Sequence, residues 1–230
     1  MASVVGAQLF TLRDHTNSAA DMRASMKKLR ALGYEAVQVS GHGSGIADGE
    51  LAAMMADNGL TVAATHIRYD AIRDAPQKVI DQHGIWGCKH VGIGSMPADY
   101  RKRPDGYSTF AREASEVVRP LIDAGLTFNY HNHSFELERQ GDGRTGLQIL
   151  AEDSDHDVFS FEIDTYWIQH GGANPVTWLR ALRGRMPLVH LKDMAMRGSE
   201  QLFAEVGEGN LEWDGILDAC RHSGVEWYLV

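Results

Sequence analysis

One arrangement of apolar and polar positions recurs along the chain: an amphipathic stretch, a glycine, then a short apolar run rich in β-formers. It is visible as KKLRALGYEAVQVS, LAAMMADNGLTVAATH, IWGCKHVGIG, VVRPLIDAGLTFNYH and LDACRHSGVEWYLV. A glycine at that junction suits the left-handed conformation that ends a helix, and the run after it reads as a strand. Within the amphipathic stretches the apolar residues keep helical spacing. Phe110, Ala114, Val117, Val118, Leu121 and Ile122 share one face, as do Trp213, Ile216, Leu217 and Cys220, and Met22, Met26 and Leu29. The methionine stripes read as core. In GANPVTWLRAL, Asn174 is placed to cap a helix whose first residue is Pro175.

The strand runs fall near 3–10, 35–40, 60–66, 88–94, 126–131, 158–163, 186–191 and 225–230. Most are apolar throughout, as strands covered on both faces must be. Strands alternating with helices imply a parallel sheet, and eight such units imply an α/β fold of the closed (β/α)8 TIM barrel type. A doubly wound open sheet is the runner-up, but GAQLFTLRD after the first strand carries no glycine-rich dinucleotide fingerprint. The last strand, VEWYLV, stands at the end of the chain. The final helix of a barrel is therefore expected to be absent from this chain. A longer natural chain or a partner, a second copy included, is expected to cover that face.

Composition narrows the class. The chain has 230 residues, 43% of them hydrophobic, which suits one domain over 1–230 with a sizeable core. The net charge is −9, and the nearest thing to a basic run is Arg101-Lys102-Arg103 in a loop-like stretch, so a nucleic-acid surface is not expected. The two cysteines, Cys88 and Cys220, lie in apolar contexts and read as buried small hydrophobes. The N-terminal residues Met-Ala-Ser-Val-Val-Gly lack the regions of a signal peptide, and no apolar run approaches the ~18 residues of a membrane span. A cytoplasmic protein without a membrane partner is expected.

In a TIM barrel the chemistry sits at the C-terminal ends of the strands. The polar residues of this chain gather at those positions. They are Gln8, Arg13 and Asp14 after the first strand, Gln38 and His42 after the second, and His66 after the third. His131, Asn132, His133 and Glu136 follow the fifth, Asp164 and Trp167 the sixth, and His190, Lys192 and Asp193 the seventh. Aspartate and histidine at adjacent strand ends are donors that Mn, Mg, Co or Zn accepts. A divalent ion on neighbouring substrate oxygens stabilises an enediolate, while a carboxylate or imidazole moves a proton between carbons. Histidine pairs also donate hydrogen bonds to a substrate with no metal present, and both readings stay open on spacing alone. A lone His66 or His42 also reads as structural. Glu162 and Glu208 read as an alternate strand face and a loop. Gly92–Ser95, GIGS, is too short for a phosphate cradle, which favours an unphosphorylated ligand.

The segments GAQLFTLRD, YHNHSFELE, FEIDTYW, HGGANPVTWL, LVHLKDM and EVGEGNLEWDGIL, in this order along essentially the whole chain, resemble the sugar phosphate isomerase/epimerase family. This family belongs to the xylose isomerase-like barrel superfamily, which also holds inosose dehydratases, keto-sugar epimerases and DNA-repair endonucleases. The resemblance implies an enzyme with one divalent metal ion (Mn, Mg, Co or Zn) held by a glutamate from strand 5, an aspartate from strand 6, a histidine from strand 7 and a glutamate from strand 8. Asp164 and His190 match the second and third. Asn129 stands where many members carry the first, with Glu136 or His133 as its substitute, and the fourth is expected just after WYLV. Trp167 stands where several epimerases have a histidine, and Gln38 where related chains often have a glutamate.

The same resemblance implies roles. Glu136 is a ligand or acid/base, His133 and His131 bind substrate oxygens or shuttle a proton, and Lys192 polarises a substrate oxygen or forms a salt bridge with Asp193 or another rim carboxylate. His66, Trp167 and Gln8 line the substrate pocket. The implied reaction is isomerisation or epimerisation of a sugar, keto-sugar or cyclitol by proton abstraction beside a carbonyl. A lyase acting on 3-keto-glycosides or inososes is the alternative within the enzyme class, and a sugar-binding barrel without turnover the alternative outside it. The endonuclease branch needs several metals and a DNA groove, which neither the donor count nor the charge supports.

Overall fold

A computed structural model describes residues 4–41, 43 and 45–230. His42 lies outside the described residues. Eight parallel strands close a barrel: β1 (Val4–Gln8), β2 (Ala36–Val39), β3 (Thr61–His66), β4 (His90–Ile93), β5 (Thr127–His131), β6 (Phe159–Asp164), β7 (Leu188–His190) and, after a hairpin, β10 (Trp227–Leu229). Each lies within the run read from the sequence or within one residue of it. Closure comes from β1, which pairs with β2 on one side and with β10 on the other, with Val4 opposite Trp227 and Gly6 opposite Leu229. No helix among the described residues is long and apolar enough to cross a membrane.

The glycines that end the amphipathic stretches behave as the pattern requires. Gly33, Gly59, Gly87, Gly125 and Gly224 all have φ between 61° and 96°, the left-handed region that a side chain with a Cβ disfavours. Asn174 caps the helix Pro175–Ala181 through its side-chain oxygen, which accepts from the Val176 N–H at 2.8 Å. The apolar stripe from Phe110 to Ile122, in contrast, is carried by two helices, Gly106–Val117 and Arg119–Asp123. Pro120 has no N–H to give to the carbonyl four residues back, so the ladder breaks and restarts while the buried face continues.

Period-two alternation sorts the strand residues into two layers. On β5 and β6, Phe128, Tyr130, Phe159 and Phe161 are fully buried against the helices, around Phe110. Burying an aromatic ring of this size stabilises the fold by about 1.5–3 kcal/mol. Their neighbours point into the barrel. Ala36, Ala64, Leu188 and Leu229 form an apolar floor there, and the interior turns polar one step further up the strands.

Between β7 and β10 the chain forms a two-stranded antiparallel hairpin, β8 (Asp193–Arg197) and β9 (Glu200–Ala204), that the pattern reading did not include. Its two-residue turn is Gly198-Ser199, with Gly198 at φ 60°. Two five-residue runs around such a turn are a hairpin signal. The loop behind it is tied to Asp193. This buried carboxylate accepts from the backbone N–H groups of Met194, Gly207, Gly209 and Leu211 and from the Trp213 indole N–H.

Candidate active site

The polar layer above the apolar floor is one connected network. The Glu162 carboxylate accepts from Gln38 Nε2 at 2.7 Å, meets His66 Nε2 at 2.5 Å, and lies 3.2 Å from His190 Nε2. Gln38 Oε1 accepts from His190 Nε2 at 2.7 Å, and Gln8 Nε2 donates to His190 Nδ1 at 3.2 Å. Glu162, Gln38 and His190 have no exposed surface. Glu162 therefore faces inward beside Asp164, and the reading of an alternate strand face is corrected. Residues two apart on a strand share a face, and that parity was the available signal.

The strand ends bring a second carboxylate to the same histidine. Asp164 Oδ1 accepts from the Trp167 N–H at 3.1 Å and so caps the helix Thr165–His170. Its other oxygen, Oδ2, is 2.6 Å from Lys192 Nζ, 3.2 Å from His131 Nε2 and 3.6 Å from His190 Nδ1. Asn132 fixes the β5 and β6 ends to each other by accepting from the Asp164 N–H at 3.0 Å. Lys192 thus pairs with Asp164, while Asp193 is turned away into its loop anchor.

The imidazole proton positions follow from their partners. His131 Nδ1 lies 3.1 Å from the Gly94 carbonyl, which can only accept, so Nδ1 carries the proton and Nε2 presents a lone pair to Asp164. His190 Nε2 faces two acceptors, Gln38 Oε1 and a Glu162 oxygen, so it carries a proton, and Nδ1 is the atom turned toward Asp164. Burial lowers the His131 pKa to about 3, more than the neighbouring Asp164 carboxylate raises it. For His190 burial acts in the same direction, but Glu162 and Asp164 outweigh it and the pKa is raised. Burial alone would raise both carboxylic acids. The His190 and His66 imidazoles hold Glu162, and the Lys192 ammonium holds Asp164, well below the ordinary range.

Two sets of donor atoms therefore converge within 4.8 Å: His131, Asp164 and His190, all buried, and His66, Glu162 and His190. The first set fits a divalent ion. A lone pair at His131 Nε2 directed at a carboxylate oxygen 3.2 Å away is repulsive unless a cation lies between them, and imidazole with carboxylate is a donor set that Mn, Co or Zn accepts. Asn129, whose position suggested a ligand, sits lower in the barrel with its Nδ2 on Thr127 Oγ1 at 3.0 Å. His131, two residues further along the same face, occupies the place beside Asp164.

A cavity of about 670 Å³ opens above this layer, lined by Gln8, His66, His131, His133, Trp167, Lys192 and, from the hairpin, Phe203. The structure thus brings Gln8, His66, His131, His133, Trp167 and Lys192 to one opening, with Asp164 and His190 beneath. Trp167 contacts the His133 ring at 5.2 Å and the Phe203 ring at 5.6 Å. His133 Nδ1 is buried without a partner among the described residues, and burial lowers the His133 pKa to about 4. Glu136 is not brought to this cavity. Its Oε1 accepts from the Tyr130 hydroxyl at 2.6 Å and its Oε2 from the His133 N–H at 2.8 Å, and it is fully buried. It supports the loop that carries His133 from behind.

The model of the xylose isomerase-like TIM barrel family matches residues 26–230. Among solved structures, a sugar phosphate isomerase/epimerase from Parabacteroides distasonis superposes with a TM-score of 0.79 at 21% identity, over 100% of this chain and 86% of that one. A probable 3-DHS dehydratase involved in petrobactin synthesis from Bacillus anthracis gives 0.71 at 12% identity, over 99% and 92% of the two chains. An L-ribulose 3-epimerase gives 0.69 at 18% identity, over 99% and 80%. No curated protein matches the chain.

Proposed function

The chain belongs to the xylose isomerase-like TIM barrel family, and from that membership we propose an enzyme that isomerises or epimerises a sugar, keto-sugar or cyclitol by moving a proton on carbon beside a carbonyl. The observation that carries the proposal is the convergence of the His131 Nε2 lone pair, His190 Nδ1 and Asp164 Oδ2 under a cavity that can hold a sugar. His131, Asp164 and His190 would hold one divalent ion. When bound, such an ion supplies Lewis-acid stabilisation to charge developing on adjacent substrate oxygens.

The remaining steps fall to side chains around the cavity. Trp167 and Phe203 form the apolar wall against which a sugar ring packs, a role suited to the flat faces of aromatic rings. His66, backed by the buried Glu162 carboxylate, is oriented to bind a substrate hydroxyl, and Gln8 offers an amide beside it. His133 is the proton carrier. It lines the cavity, and its lowered pKa keeps the ring neutral and able to accept a proton at pH 7. Lys192 supplies a positive charge at the rim, where an oxyanion forms when the proton leaves carbon. Glu136 is a positioning residue that fixes the His133 backbone. Loss of a leaving group from the neighbouring carbon would turn the same proton abstraction into a dehydration, so a lyase uses the same apparatus.

The test combines elemental analysis with proton exchange. Purified protein is expected to hold about one Mn, Co, Zn or Mg per chain, and His131→Ala and His190→Ala are expected to lose it. Keto-sugars and inososes are then incubated in D2O, and NMR reads deuterium at the carbon beside the carbonyl, with His133→Ala abolishing exchange. Metal retained in both histidine variants would remove the ligand assignment. A metal-loaded protein that binds sugars and exchanges no proton in any of them would favour the binding barrel without turnover.

A further inference from the structure

Three of the imidazoles at this site are held by hydrogen bonds at a ring nitrogen. Glu162 fixes His66 at Nε2, the Gly94 carbonyl fixes His131 at Nδ1, and Gln38 with Gln8 fixes His190. His133 is different. Glu136 accepts from its backbone N–H at 2.8 Å, but no hydrogen bond among the described residues reaches its ring. The last torsion of a histidine side chain has only a broad preference of its own. Packing must therefore set the plane of this ring.

Three rings lie against it. The His131 ring stands at 86° and the Trp167 ring at 45°, with centres 5.0 and 5.2 Å away. Phe135 is close to parallel, at 11° and 5.6 Å. A parallel face restricts the turning of a flat ring, where an edge or a tilted face leaves it room. Phe135 is not among the residues that line the cavity.

Phe135 is itself only half-buried, on the short turn Phe135–Leu137. Arg101, at the end of the helix Ala98–Arg101, brings its Cζ to 4.4 Å from the Phe135 ring centre. It opens the basic run Arg101-Lys102-Arg103. Lys102 lies 3.8 Å from Asp99 and Arg103 3.6 Å from Asp105, whereas Arg101 makes no ion pair among the described residues. Its charge is left for the ring, whose face attracts a cation.

We propose that Arg101 and Phe135 are positioning residues for the proton transfer: the guanidinium fixes the Phe135 ring, and that ring fixes the plane in which His133 meets the substrate carbon. The proposal rests on the reading of His133 as the proton carrier. Both residues stand behind His133, so they act on the rate of proton transfer and not on sugar binding. Proton transfer needs its two partners aligned, and a displacement of about 1 Å can cost a hundredfold in rate.

Proton exchange in D2O tests it, read by NMR on fructose, tagatose and scyllo-inosose with the Mn-supplemented protein. Phe135→Leu should lower the saturating exchange rate about tenfold or more, while the half-saturating sugar concentration and the metal content stay at the wild-type level. Arg101→Gln, at an exposed position, should lower the same rate about fivefold with an unchanged unfolding midpoint. Phe135→Tyr keeps the ring face and Arg101→Lys keeps the cation, so each should recover most of the loss. With no sugar present, the His133 Cε1–H signal, identified by its absence in His133→Ala, should move in both Phe135→Leu and Arg101→Gln. An unchanged saturating rate in Phe135→Leu, or in Arg101→Gln should the leucine variant fail to fold, overturns the proposal alone. So does a fall matched by lost metal or lost sugar affinity, or one that the conservative variants do not recover. Wild-type protein that exchanges none of the three sugars, or exchange that survives in His133→Ala, overturns the proton-carrier reading of His133 and this proposal with it.

Discussion

Replacing Glu136 by glutamine changes a charge without changing a shape, and the effect has a computable size. Burial raises the Glu136 carboxyl from its ordinary value of 4.5 to about 7, more than its hydrogen bonds from Tyr130 and His133 lower it. The folded state therefore binds this proton more tightly than the unfolded chain does. Below pH 4.5 both states are protonated and the group costs nothing. Between pH 4.5 and 7 the unfolded chain ionises first, so stability falls as the pH rises. The gap amounts to about 3 kcal/mol at ~1.4 kcal/mol per decade of proton concentration. Glu136→Gln is neutral throughout and escapes that loss. Urea unfolding of both proteins in half-unit steps from pH 4.5 to 8 should show the variant gaining on the wild type by about 3 kcal/mol across this window, then levelling off. His90, His131 and His133, whose pKa values burial lowers to between about 3 and 4, shift both curves alike and cancel in the difference. A constant offset of about 1 kcal/mol from altered hydrogen bonding is expected and does not affect the slope. Parallel curves from pH 4.5 to 7 would refute the reasoning, because the Glu136 carboxyl would then be ionised at no cost inside the fold.

Asp193→Ala leaves four backbone N–H groups and the Trp213 indole without their acceptor, so it should cost at least about 3 kcal/mol in equilibrium unfolding and open the 205–211 loop to protease; an uncut loop and an unchanged midpoint would contradict the anchor. Trp167→Ala should weaken sugar binding roughly tenfold by calorimetry while metal content stays at the wild-type level. Cys88 and Cys220 are buried, and burial pushes both thiols up to about 12, so a thiol reagent at pH 8 should label neither in the native protein and both in denaturant.

The parts of the fold that local chemistry dictates were legible from residues alone. A glycine forced to positive φ, followed by an apolar run, marks the helix-to-strand junctions at Gly33, Gly59, Gly87, Gly125 and Gly224, and the strands follow from them. The hairpin Asp193–Ala204 escaped because its five-residue strands set their apolar residues side by side, Met194-Ala195-Met196 and Leu202-Phe203-Ala204, without the alternation that marks a half-buried strand. Strand ends told which residues gather at the opening, and Gln8, His66, His131, His133, Trp167 and Lys192 do meet there. Direction was harder. Glu136 stands three residues beyond His133 in the sequence, yet the turn at Phe135–Leu137 swings its carboxylate outward to Tyr130. Glu162 shows the opposite error, since strand parity with Asp164 already placed it inside.

The pairing of β1 with β10 sets a timetable for making the protein. Val4 waits for Trp227, 223 residues later by subtraction of their numbers. At a synthesis rate of ~5–20 residues per second, the first strand spends about ten to forty-five seconds as an open sheet edge before its partner is made. Contacts this distant in the chain also slow folding after release, because the loop must be closed before the contact repays it. The cavity above Asp164 and His190 draws on Gln8 in β1 and on Val230 beside β10. Partial products of the ribosome therefore have helices and strands but no cavity, which exists only once the ring has shut.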